Sequence, residues 1–333
     1  MLLATEETHM TLLRRIACGL AAALLCAAAA AQPGDYPNRP VRLITPFTAG
    51  GAIDVLCRVI GERLAQRLGQ NVVVESIPGA NTIVGTQALV RAAPDGYTFM
   101  ITTMSTALNN RILYSKLSYD PEKDLAPITQ LSYGTVLLVG PGGAPYKDLQ
   151  GFIEWAKAQK RPISYGSWGI ASWGHLAGEI LKREAGLDLT HIPYKGDVLA
   201  LTDVRNATLD VTFTSPTSAK PLIAAGAVKP IAMTGPQRSA SMPELPTFTE
   251  QGVRNVDLPI WVGVYAPAGT PRAILERLRN ELKVVTAQPD IIEKMTAQGQ
   301  TPVVNTAEEY MANYRAEYPK WEALIKASGA KIE

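Results

Sequence analysis

The chain has 333 residues, 47% hydrophobic and 19% charged, an ordinary globular composition with length enough for two packed cores. Its 32 Lys and Arg against 30 Asp and Glu give a formal net charge of +2, too weak a basic balance to argue for a nucleic-acid partner.

Arg14 and Arg15 precede an apolar run that ends near Cys26, and small residues follow, with Ala29 and Ala31 at the positions of an A-x-A site. That order predicts a secretory signal over residues 1–31, cleaved after Ala31, with Met10 a better start than Met1 because Glu6 and Glu7 are unusual ahead of a basic region. The apolar run is shorter than the roughly 20 residues of a spanning helix. Leu24-Leu25 ahead of Cys26 is not the small pair that lipidation requires. Beyond residue 31 the only cysteine is Cys57, so no intrachain disulfide is possible, and its helical setting predicts a buried thiol. No later segment is long and apolar enough to span a bilayer. The expectation is a soluble, periplasmic monomer.

Short apolar runs alternating with helical patterns predict an α/β fold. Residues 41–45 form a strand, followed by a glycine loop and a helix over 52–68 that Gly69 stops. A strand over 72–75, a helix over 83–92, a strand over 97–102 and a looser helix from about Thr106 follow. Residues 128–139 are expected to be one extended strand crossing between domains. Next come a helix over 149–158, a strand over 163–165 and a Gly- and Trp-rich loop over 166–174 that leads into a helix from His175 to about Ala185. Strands over 190–194, 211–214 and 230–234 alternate with helices over 198–206 and 218–225. Residues 235–257, rich in Pro, Ser and Gly, are a linker back across the hinge. A strand over 261–265 and helices over 271–287, 289–298 and 307–328 complete the chain. Domain II, residues 136–234, is thus inserted into domain I, residues 32–135 plus 235–333.

No catalytic centre stands out. His175 and His191, the histidines beyond residue 31, belong to no metal-ligand pair, Cys57 has no partner, and no metal site is supported. No Walker loop or G-x-G-x-x-G follows a strand, and no cofactor is expected. The stretch Gly169-Ile170-Ala171-Ser172-Trp173-Gly174 has one residue too many for a nucleophile elbow. Ser172 close to His175 leaves a secreted hydrolase as one reading, and a structural helix start as the other.

Two loops remain. Thr48, Ala49, Gly50, Gly51 and Ala52 join the first strand to a helix N-terminus, where free N–H groups and the helix dipole suit an anion. Asp54, in the first turn, is favourable by the same dipole. A plain tight turn is the alternative. Trp168, Gly169, Ile170, Ala171 and Ser172 repeat that logic in the other domain. The Ser172 hydroxyl either caps the helix or reaches a ligand oxygen. Trp168 and Trp173 either wall a pocket or pack between loops. Both loops lie at C-terminal strand ends, where open α/β sheets hold ligands.

These residues resemble the Bug-type extracytoplasmic receptors, the substrate-binding components of tripartite tricarboxylate transporters. The matching segments run from Tyr36-Pro37-Asn38-Arg39-Pro40 and Pro46-Phe47-Thr48-Ala49-Gly50-Gly51-Ala52-Ile53-Asp54 through Pro78-Gly79-Ala80, Pro94-Asp95-Gly96-Tyr97-Thr98 and Tyr119-Asp120-Pro121. They continue with His175-Leu176-Ala177-Gly178-Glu179, Ile192-Pro193-Tyr194-Lys195-Gly196 and Ala266-Pro267-Ala268-Gly269-Thr270-Pro271. In this order they cover the chain from Tyr36 to Ile332.

The resemblance implies an α/β two-domain periplasmic-binding-protein clamshell, type II-like, with two crossing hinge strands. It implies a small carboxylate held by backbone groups and ordered waters, and a membrane permease as partner, or a signalling protein if the role is sensing. On its grounds Thr48 to Ala52 and Gly169 to Ser172 are carried over as anion contacts. Lys195 and Gly196 join them, with a surface charge as the other reading of Lys195. The family often has threonine at Ile53, Asp-Asn at Thr214-Ser215 and Asn-Gly at Ile170-Ala171. These departures lower polarity and argue for a less polar, aromatic carboxylate over an amino acid.

Overall fold

Eleven strands form two sheets among the described residues, 36–170, 172–256 and 260–327, of a computed structural model of the chain. From Arg39 on, the described residues group into one unit. The chain begins with β1 (Val41–Thr45), α1 (Ala52–Leu68), β2 (Val72–Ser76), α2 (Ile83–Val90) and β3 (Thr98–Thr103). A π-helical turn over Ser105–Asn109 then leads into α3 (Asn110–Leu113) and β4 (Leu125–Gly134). It continues with β5 (Leu137–Pro141), α4 (Leu149–Ala158), β6 (Ile163–Ser167), α5 (Trp173–Ala185), β7 (Leu189–Pro193), α6 (Asp197–Arg205), β8 (Val211–Thr214), α7 (Pro216–Ala224) and β9 (Val228–Met233). It ends with β10 (Ile260–Pro267), α8 (Arg272–Thr286), α9 (Pro289–Ala297), β11 (Gln300–Pro302) and α10 (Ala307–Ala327).

Local chemistry sets these elements. In β1 four of five side chains are buried, the mark of a central strand covered on both faces. On α1, Leu56, Cys57, Ile60, Leu64 and Leu68 make the buried stripe, and Gly69 closes the helix in the left-handed conformation at φ 67°. Asp148 caps α4 by accepting the Gly151 amide. Among the described residues no helix is long and apolar enough to cross a membrane.

The first sheet has the order β11-β4-β10-β3-β1-β2, the second β7-β6-β8-β5-β9. Residues 128–139 are not one strand. β4 ends at Gly134, which pairs with Ile260 and Gln300, and β5 starts at Leu137, which pairs with Thr214 and Met233. The partners belong to different sheets, so Thr135 and Val136 must turn between them. The chain returns from β9 to β10 through residues 234–259. Both connections bond to each other at their start: the Thr234 amide donates to Val136 O at 2.9 Å, and the Val136 amide to Thr234 Oγ1 at 3.1 Å.

The registers fix which sheet edges face the crossings. β1, β2 and β3 run parallel, and β10 and β4 are aligned so that Ile260 and Gly134 lie at the C-terminal ends of those three strands. In the second sheet, Leu137 and Met233 lie at the end of β8, which runs parallel to β6 and so to β7. The loops after β1, β2 and β3, and those after β6, β7 and β8, therefore emerge at the two edges that the crossing segments join.

Candidate functional site

The loop after β1 is shaped from inside. Gly50 stands at φ 80°, a conformation glycine adopts without cost, and its amide donates to Asp54 Oδ2 at 2.8 Å. The Asp54 carboxylate is fully buried and also accepts from Arg58 at 2.9 and 3.2 Å and from Ser76 Oγ at 2.5 Å. Burial alone would raise its pKa, but the bonds from Arg58, Ser76 and Gly50 outweigh it and hold the group below its ordinary range. Asp54 is thus a brace for the loop, and its carboxylate faces inward. Thr48, Ala49, Gly50 and Ala52 are exposed, and Ile53 is half-buried. The Gly51 amide bonds Thr48 O at 3.1 Å. The amides of Ala52, Ile53 and Asp54 open a 17-residue helix and have no acceptor within it.

The loop after β6 is held by Ser167. Its Oγ accepts from the Gly169 amide at 3.3 Å and from Ser172 Oγ at 3.1 Å, and lies 2.7 Å from His191 Nε2. Ser172 caps α5, accepting the His175 amide at 3.3 Å. Trp168 and Gly169 are half-buried and Ile170 is exposed; Ala171 lies outside the described residues, as do residues 1–31 with the expected signal. A Cβ added at Gly169 or at Gly50 would meet nothing within 4 Å, so both loops border open space.

A third group surrounds Asp197, which opens α6 behind Gly196. Its Oδ2 accepts from Thr214 Oγ1 at 3.1 Å, Ser215 Oγ at 2.9 Å and the Ser215 amide at 3.1 Å. A carboxylate thus stands at the Thr214-Ser215 pair after all, brought by Asp197 from 17 residues before Thr214. Lys195 is exposed. Gly196 and Thr214 thus meet through Asp197. Among the described residues no hydrogen bond or ion pair joins residues 48–54 to residues 168–172.

The sequence reading missed the loop after β2. Ala80, Asn81 and Thr82 follow one another at φ 44°, 48° and 75°, and a β-branched residue there is strained. A buried network holds them. Thr106 Oγ1 donates to Thr82 Oγ1 at 2.9 Å and lies 2.7 Å from Thr102 Oγ1, while Asn110 Nδ2 donates to Asn81 O at 2.8 Å. The π-turn over Ser105–Asn109 belongs to the same edge, and such turns often sit at functional sites. Pro78-Gly79 signalled a turn, but nothing local announces left-handed Thr82.

A model of the tripartite tricarboxylate transporter family receptor matches residues 56–330. The chain belongs to this receptor family. It is 34% identical to a UPF0065 protein of Bordetella pertussis over 88% of this chain and 89% of that one. The periplasmic binding protein BugD matches with a TM-score of 0.77 at 32% identity, covering 90% of this chain and 100% of that one. An R. palustris protein solved with adipate matches with a TM-score of 0.81 at 31% identity and the same coverage.

As a receptor of this family, the chain has the mixed α/β two-sheet fold of its solved relatives. The hydrolase constellation looks different in space than in sequence. Ser172 Oγ donates to Ser167, and the His175 ring stacks on His191 with centroids 4.1 Å apart. Trp173 is 4% exposed and packs in the core of the receptor, donating from Nε1 to Thr234 Oγ1 at 3.2 Å. Packing between elements is therefore its role, not a pocket wall.

Proposed function

We propose that the protein is an exported solute receptor that closes two lobes on a small organic carboxylate and delivers it to a tripartite tricarboxylate-type permease, without catalysing a reaction. The lobes are residues 32–135 with 235–333, and residues 136–234, in a monomer freed of residues 1–31 in the periplasm. One observation carries the reading: glycine loops that open α1 and α5 emerge at the two sheet edges joined by the crossing segments. Amides at each helix start, aided by the dipole, would meet a carboxylate from both sides as the lobes shut. Thr48 to Ala52 with Ile53, and Trp168 to Ser172 with Lys195 and Gly196, are the proposed contacts.

The finer reading is a carboxylate with an apolar body, aromatic or aliphatic. Its support lies in aliphatic side chains left in water at the second edge: Ile170 is 55% exposed, Val198 62% and Leu199 55%. Relatives have been solved with adipate and, for MatC from Rhodopseudomonas palustris, with malate, both small carboxylates. A thermal-shift screen over benzoate, phthalate, adipate, malate and glutamate tests both levels. A ligand at a hundredfold excess over Kd adds about 2.7 kcal/mol of stability. No stabilisation by any carboxylate overturns the receptor reading, and tight binding of glutamate alone overturns the finer one.

A further inference from the structure

The Ser167 hydroxyl has one proton and two lone pairs. Ser172 Oγ, at 3.1 Å, and the Gly169 amide, at 3.3 Å, donate into both lone pairs. The proton has two acceptors within reach, His191 Nε2 at 2.7 Å and Gly169 O at 3.0 Å. Gly169 O is already served by the Ser172 amide at 3.3 Å. Were the proton turned to Gly169 O, His191 Nε2 would face an oxygen with no lone pair left for it. The assignment that leaves no conflict around the Ser167 hydroxyl sends its proton to an unprotonated Nε2.

We propose that His191 is a positioning residue: its neutral Nδ1–H tautomer accepts the Ser167 O–H at Nε2 and thereby fixes Gly169 and Ser172 around the Ser167 hydroxyl. The parallel register pairs Ser167 with Pro193 and Tyr165 with His191, which brings the imidazole under the loop. Gly169, at φ 136°, lets the loop adopt many shapes, so its form depends on an outside pin. The pin continues outward. Ser167 orients Ser172, and Ser172 caps α5. That this matters for ligand affinity rests on the reading of residues 168–172 as one jaw of the clamp.

The surroundings keep the ring neutral. From α5, His175 stacks on it and Glu179 lies beyond; from β6, Tyr165 packs 5.0 Å away and donates its hydroxyl to Glu179 at 2.7 Å. Burial, with the charge of a protonated His175 acting in the same sense, pushes His191 down to about 4. Burial also lowers His175, against the pull of Glu179. Near neutral pH, Nε2 is thus available as an acceptor.

The test is NMR of the imidazole nitrogens in the full chain, with His191→Phe and His191→Gln beside it. The expected spectrum at pH 7 has a bare Nε2 and a protonated Nδ1; a protonated Nε2 overturns the proposal. His191→Phe keeps a ring against His175 but removes the acceptor. Amide hydrogen exchange at Gly169 and Ser172 should then rise on the order of tenfold, as for one lost hydrogen bond. Gln, which can place an amide oxygen near Nε2, should restore exchange to within about threefold of the parent. Unchanged exchange in His191→Phe overturns the pin. If that variant fails to fold, the ring tautomer and His191→Gln decide. Affinities for adipate, malate and benzoate are measured on the same samples. Faster exchange with unchanged affinity supports the pin and removes the loop from the jaw.

Discussion

The indoles of Trp173 and Trp321 meet edge to face, ring centroids 4.7 Å apart and planes at 67°. Trp173 begins α5, beside the second sheet, and Trp321 lies on α10, near the end of the chain. Because Trp173 Nε1 also bonds Thr234 in the return crossing, this pair ties the terminal helix to the hinge. Trp321 is fully buried, and Trp321→Ala should cost about 3–5 kcal/mol through lost burial and the cavity left behind. Urea unfolding measures it. A loss under about 1 kcal/mol would mean that α10 contributes little to the core.

Asp54 supplies a second prediction, at the first jaw. Asp54→Asn keeps the shape but weakens the bonds to Gly50, Arg58 and Ser76, and should destabilise by about 2 kcal/mol at pH 7. The sign with pH follows from the lowered folded-state pKa. The charged group's contribution is full above its unfolded value of 3.8 and is lost as pH falls through the folded value. The gap between parent and variant should therefore close in strong acid. A gap of equal size at pH 7 and pH 2 would refute the ionic account. Ligand affinity should fall as well, since the Gly50 amide no longer holds the loop to a charge.

Much of this was legible because it is local. The glycine loop after β1, the stop at Gly69 and the Ser172 cap each follow from residues within a turn of one another. What escaped was set by pairing across the chain. The stretch over residues 128–139 reads as one extended segment, and only the change of partners from Ile260 to Thr214 breaks it. β11, three residues long, has no pattern to detect. Asp197 reaches Thr214 from the start of α6, and His191 reaches Ser167 from the neighbouring strand, by contacts that no spacing rule names.

Glu317 of α10 leads to a prediction with the opposite pH sign. Its Oε2 accepts the Trp261 indole N–H at 3.0 Å. Burial pushes the carboxyl up to about 7, and the hydrogen bond from Trp261 only partly opposes it. A raised folded-state pKa means that the protonated form stabilises the fold below the unfolded value of 4.5, and that this is lost as pH rises through 7. Glu317→Gln is neutral at every pH and keeps an acceptor for Trp261. It should gain about 1 kcal/mol over the parent at pH 8, after allowance for solvent screening, and little at pH 4.5. Calorimetry at the two pH values checks this, and an equal Tm difference at both would refute it.

Cys57 reads the integrity of α1 directly. The thiol is fully buried, and burial pushes its pKa up to about 12. The thiolate is the reactive species, so a thiol held protonated and out of water is inert. In a chain beginning at Gln32 it is the sole cysteine, and labelling with a disulfide reagent at pH 8 then has one target. Native protein should remain unlabelled over hours, and guanidinium should expose one thiol per chain. Any slow labelling measures how often α1 lifts from β1. A carboxylate bound at the start of α1 should slow it in proportion to occupancy, because ligand stabilises only the closed helix start. Labelling that ignores a ligand known to bind would place that ligand away from the Gly50 loop.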